Sequence, residues 1–156
     1  MKLLTILFCL FMVLASCIQS PNYPPSNPPV TPAASYDGTI QNSNYSTAGY
    51  IKEDGTVQNQ NYSTLGYFKD DGTVQNQNYS TIGYIKNDGR VENSNYSTIG
   101  YIKPDGTVQN QNYSTIGYIK NDGTIQNQNY TTLGYAKNTD KTRAAAAAFF
   151  FFFHLN

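Results

Sequence analysis

Between Gly38 and Lys137 the chain alternates short β-prone runs with short polar ones. Thr81 to Lys86 reads Thr-Ile-Gly-Tyr-Ile-Lys and Thr73 to Asn76 reads Thr-Val-Gln-Asn. β-Branched and aromatic residues suit a pleated, half-buried surface, so each run predicts a strand. The intervening Lys86-Asn87-Asp88-Gly89 predicts a hairpin turn, because Asp-Gly between two such runs lets Gly take the positive φ that other residues resist. Simple alternation places Ile82, Tyr84 and Lys86 on one face and Thr81, Gly83 and Ile85 on the other. Both faces then carry apolar groups. A single hairpin cannot bury them, so hairpins must pack on one another.

The pattern recurs every 17 residues. Gly38, Gly55, Gly72, Gly89, Gly106 and Gly123 are the expected turn glycines, each preceded by Asp, and Gly49, Gly66, Gly83, Gly100, Gly117 and Gly134 keep the same spacing. Pro104 selects the turn. A two-residue turn on Asp105-Gly106 needs a backbone N–H from the flanking residue, and Pro has none. A three-residue loop, Pro104-Asp105-Gly106, puts Pro at the first central position of a type I turn and Gly106 in a bulge. The Asp residues are therefore expected to shape turns, not to act as catalytic pairs. The other connection, mostly Gln-Asn-Tyr-Ser, is a polar loop carrying Tyr45, Tyr62, Tyr79, Tyr96, Tyr113 and Tyr130. It also writes Asn-Tyr-Ser/Thr from Asn44 to Asn129, an acceptor pattern for N-glycans in a eukaryotic secretory protein and plain loop residues in a bacterial one.

Seventeen residues suffice for a two-stranded petal but not for a four-stranded propeller blade. Five hairpins are complete; Gly38 to Asn42 is left over at the start and Thr132 to Lys137 at the end. Pairing these halves would close a ring, with five or six petals left open. The expected fold class is all-β: two-stranded antiparallel hairpins around an axis. After Asn138 come Ala144 to Ala148 and Phe149 to Phe153, too apolar for water and too short to span a bilayer. A ten-residue helix is about 15 Å long, as is a strand of four to five residues, so this tail is expected to plug the axis against petal Ile, Val and Leu. Helix and strand both remain open for it, as does a membrane-touching extension.

Composition divides the rest. Six of seven Pro lie between Pro21 and Pro32, and Lys+Arg and Asp+Glu are 10 each, so no basic field for nucleic acid exists. Met1-Lys2 precedes an apolar run from Leu3 to Leu14 that ends in Leu14-Ala15-Ser16-Cys17. This resembles a bacterial lipobox, which makes Cys17 a lipidation site; an ordinary signal peptide cleaved near Ser16 is the alternative. Removal of Cys9 leaves Cys17 as the sole cysteine, which excludes a disulfide framework. Two acyl chains would give stable anchoring. The expected organisation is 1–16 signal peptide, 17–36 lipidated Cys and extended Pro-rich spacer, 37–138 repeats and 139–156 plug.

The repeated D-G-x-V-x-N and I-G-Y-I resemble the bacterial β-flower repeat lipoproteins, in which hairpins surround an axis. The likeness covers the repeats and, more loosely, the Phe-rich end. Six units depart from a five-fold flower, and the Ala-Phe tail departs too. The family implies fold and location but no transferable activity. Candidate chemistry is sparse. His154 is the sole histidine and stands beside the C-terminus, with no Ser/His/Asp set or metal cluster to be built around it. No cofactor is expected. The expected role is a non-enzymatic envelope lipoprotein, structural or binding, held to the membrane by its lipid; Ile18 after the Cys suggests the outer membrane. The alternative is a glycan- or cell-wall-binding module, or one for an envelope protein, using loop Tyr, Asn and Gln. The competing view of those Tyr is packing between petals. A hydrolase built on turn Asp residues is the remote third class.

Overall fold

The computed structural model describes residues 37–155. The expected signal peptide, Cys17 and the Pro-rich spacer lie outside these residues. The second strands of the petals are Gly38–Asn42 (β1), Thr56–Asn59 (β3), Thr73–Asn76 (β5), Arg90–Asn93 (β7), Thr107–Asn110 (β9) and Thr124–Asn127 (β11). The first strands are Thr47–Ile51 (β2), Thr64–Phe68 (β4), Thr81–Ile85 (β6), Thr98–Ile102 (β8), Thr115–Ile119 (β10) and Thr132–Lys137 (β12). Every strand pairs antiparallel with its sequence neighbours, and β1 pairs with β12 through Thr39↔Lys137, Ile40↔Ala136, Gln41↔Tyr135 and Asn42↔Gly134. The leftover halves thus make the sixth petal, and the ring is closed with no free edge.

The turns follow Pro104. Gly106 N donates to the Lys103 carbonyl at 2.9 Å and Lys103 N to the Thr107 carbonyl at 2.8 Å, with Gly106 at φ +91°. Gly55, Gly72, Gly89 and Gly123 sit likewise at φ +83° to +86°. Gly38 corrects the set. It opens β1 opposite Ile51 without the positive φ of the other five, and a Cβ there would meet Thr139 Cβ at 2.5 Å. Simple alternation also fails at one place per unit. Gly83 faces Val74 and Thr81 faces Gln75, so Ile82 is an extra residue in a bulge. The bulge turns Ile82 toward the apolar core instead of leaving it on Tyr84's face.

The core is layered. Ile40, Val57, Val74, Val91, Val108 and Ile125, one from each second strand, have no exposed surface. Ile51, Phe68, Ile102, Ile119 and Ala136 form the neighbouring layer toward the turns. The axis is filled by the tail, as a helix: Lys141–Ala145 is α-helical (α1) and Ala146–Phe151 is π-helical. Asp140 caps it by accepting from Arg143 N at 2.9 Å. Ala144 to Ala148 are 0 % exposed, so alanine occupies the axis and the five Phe, half-buried, radiate from it.

Each Phe meets one petal. Cβ atoms built on Gly117, Gly100, Gly83, Gly66 and Gly49 would strike the rings of Phe149, Phe150, Phe151, Phe152 and Phe153 in turn, at 2.5–2.7 Å. Consecutive side chains must therefore advance about 60° each around six petals, whereas an α-helix advances about 100°. The backbone unwinds to comply. Phe152 N donates to Ala147 O (five residues back), Phe153 N also to Ala147 O (six back), and Leu155 N to Ala148 O (seven back). At Gly134 the nearest atoms are the Gln41 and Asn42 backbone, not a phenylalanine.

Candidate functional site

The polar loops fold as the same turn as Asp-Gly, with tyrosine in place of glycine. Tyr62 N donates to Asn59 O at 3.0 Å and Asn59 N to Ser63 O at 2.9 Å. Tyr45, Tyr62, Tyr79, Tyr96, Tyr113 and Tyr130 all take φ of 61–63°. That left-handed conformation costs a non-glycine residue about 1–2 kcal/mol. The loop is braced by its first Asn, whose Oδ1 accepts two backbone N–H groups at 2.9–3.1 Å in every copy, as Asn59 does from Asn61 and Ser63. Gln41, Gln58 and Gln126 donate their Nε2 to the carbonyls of Tyr45, Tyr62 and Tyr130 at 3.0 Å.

Each loop Tyr then lies flat on the outward Tyr of a first strand. The pairs Tyr50–Tyr62, Tyr67–Tyr79, Tyr84–Tyr96, Tyr101–Tyr113, Tyr118–Tyr130 and Tyr135–Tyr45 stack at 4.6–5.0 Å with ring planes within 8–16°. The strand hydroxyl donates to the loop hydroxyl at 3.0–3.3 Å. Donation holds the proton, so Tyr50, Tyr67, Tyr84, Tyr101, Tyr118 and Tyr135 titrate above the usual tyrosine range, with partial desolvation adding to it. Lys86 and Lys103 place Nζ 4.8 and 5.4 Å from the ring centroids of Tyr84 and Tyr101. The loop Tyr residues stay 62–66 % exposed with one ring face covered by the strand Tyr, so the other face is turned to solvent. The sequence signal for this conformation was spacing: Asn-x-x-Tyr-Ser and Lys-x-x-Gly-Thr place their fourth residue alike.

Charge is sorted between the two ends of the ring. The loops at 42–46, 59–63, 76–80, 93–97, 110–114 and 127–131 contain no charged residue. The turn end carries Lys and Asp in each complete hairpin. There Asp54, Asp71, Asp105 and Asp122 accept from Thr N–H two residues on at 2.8–2.9 Å, which lowers their pKa; Asp88 makes the same bond to Arg90 N. A cleft of about 490 Å³ lies among Lys69, Asp70, Lys86, Lys103, Asp140 and Arg143. Its charges hold the tail: Arg143 reaches Asp70 at 3.4 Å and the Glu53 carbonyl at 3.4 Å, while nearby Lys141 donates to Asn121 at 2.9 Å. The third petal differs, since Glu92, 5 % exposed, sits between Lys86 at 3.4 Å and Arg90 at 3.3 Å. His154 is exposed, and no group of three or more His, Cys, Asp or Glu comes together among the described residues.

A family model described as 5-fold beta-flower protein matches residues 37–154, the whole ring together with its tail. No curated protein and no solved structure matched the chain. A match over most of the length, on a closed ring of hairpins around an axial tail, carries the assignment: the chain belongs to the 5-fold β-flower family, here built with six petals.

Proposed function

We propose that this β-flower repeat protein is a non-enzymatic body displayed in the bacterial cell envelope and tethered by lipid on Cys17 at the outer membrane. The observation that carries the non-enzymatic part is the filled axis: Ala144 to Ala148 are wholly buried where a barrel would otherwise enclose a ligand cavity. The turn carboxylates support it, being engaged by their own backbone. Leu14-Ala15-Ser16-Cys17 supports the anchor. The chain enters the ring at Gly38, beside the turn end. In a bacterial host, metabolic labelling with a palmitate analogue should mark the protein, and Cys17→Ala should abolish both label and membrane retention. An unlabelled wild type, or a Cys17→Ala protein that still sediments with membranes, overturns the anchor.

A further inference from the structure

We infer that the tyrosine loops form a six-fold set of platforms for neutral, β-linked glycan chains. The inference rests on the reading of the ring as a display body and names what it displays.

Each platform is a tyrosine ring stacked on one face and open on the other, 62–66 % exposed. Stacking at 4.6–5.0 Å and a hydroxyl hydrogen bond fix its plane before any ligand arrives, so little rotamer freedom is lost on binding. A β-linked pyranose with equatorial substituents presents a flat patch of C–H groups that lies on such a ring. Its hydroxyls then meet the exposed Ser43 and Asn44 of one loop, or Gln60 and Asn61 of the next.

The charge pattern selects this class over others. Thirty loop residues carry neither a cation for phosphates nor an anion for basic proteins; Lys86 comes within 6.0 Å of the Tyr96 ring centroid, and the turn Lys and Asp otherwise belong to the opposite end. The choice of residue points the same way. At the turn end the left-handed position is held by glycine, at the loop end by tyrosine in all six copies. A turn needs only the conformation, which Gly or Asn supplies at lower cost; the ring adds a flat aromatic face directed at solvent. Platforms two strands apart stand about 10 Å apart at the sheet and farther at the tips. One straight chain therefore engages one or two, and a dense polysaccharide layer engages more, raising avidity.

The test uses the full-length protein with three insoluble probes: peptidoglycan sacculi, chitin and cellulose. Co-sedimentation is measured, and tyrosine fluorescence is followed with soluble chitotetraose, since the chain has no Trp. Wild type should sediment with at least one probe, nearly independently of salt, because no charge is engaged. Replacing all six loop tyrosines with Asn keeps a residue that tolerates the left-handed turn. That variant should keep a cooperative melt and lose binding by at least about tenfold. A variant changed only at Tyr62, Tyr96 and Tyr130 halves the platforms and should fall between, which covers failure of the sixfold variant to fold. Wild-type-like binding by a folded loop variant overturns the inference; so does sedimentation abolished by salt, or binding to none of the probes. None of these outcomes alters the Cys17 label, so the anchor and the glycan reading fail separately.

Discussion

At the scale of residues, the same three-residue loop is built twice per unit with opposite solutions. Gly106 accepts the left-handed conformation without cost, whereas Tyr113 accepts it at about 1–2 kcal/mol. Stacking on Tyr101 returns about 0.5–1.5 kcal/mol, and the solvent-exposed hydroxyl bond adds to it. Tyr113→Gly should therefore change stability by no more than about 1 kcal/mol in chemical denaturation. Asn110→Ala removes two braces from the same loop and should cost about 1–2 kcal/mol. Gly83→Ala is far worse: a Cβ would overlap the Glu92 carbonyl and stand 2.6 Å from the Phe151 ring, so a loss of about 3 kcal/mol or more is expected. The titrations have opposite signs. Turn Asp pKa values are lowered by bonds to backbone N–H, so their contribution is present above the unfolded carboxylate pKa and fades as acid protonates them. Strand Tyr pKa values are raised, so theirs is present below about pH 10 and fades above it. Melting temperature against pH should show a plateau between these limits, and tyrosinate absorbance should lag behind that of a free tyrosine.

At the scale of elements, legibility followed local rules. The strands, the Asp-Gly loop and the pairing of the orphan halves β1 and β12 all follow from propensity, from Pro104 and from counting hairpins. The bulge at Ile82 did not, because alternation assumes an uninterrupted ladder and one extra residue shifts everything beyond it. The tyrosines escaped for a related reason: no propensity places an aromatic residue in left-handed space, and only the pairing partner across the surface compensates it. The tail is the sharpest case. Ala favours a helix and Phe a strand, but the form adopted is set by the petals, with each ring seated on a different glycine. Phe150→Ala should cost about 2 kcal/mol, below the range for a fully buried Phe because the ring is half-buried.

At the scale of the molecule, ring and tail share one core. The seam between β1 and β12 joins residues far apart in sequence, and Ala144 to Ala148 lie in the same apolar cluster as the layers of Ile and Val. Deleting residues 144–156 should abolish the cooperative melt and expose apolar surface to a dye such as ANS. A truncated ring that melted at the wild-type temperature would contradict this. The ends also divide the labour: a charged end that contacts the tail through Arg143 and Lys141, and one whose loops carry no charged residue and present paired aromatics.

The stepwise unwinding of the tail couples it to the number of repeats. A five-petal ring would ask each successive side chain to turn about 72°, and six petals ask for about 60°, where bonds to residues five and six back already replace the α-helical ones. A seventh repeat would ask for close to 51° per residue, a wider coil still, with more space down its middle than alanine fills. Duplicating a petal therefore leaves this tail misfitted, so repeat number and tail sequence are expected to change together.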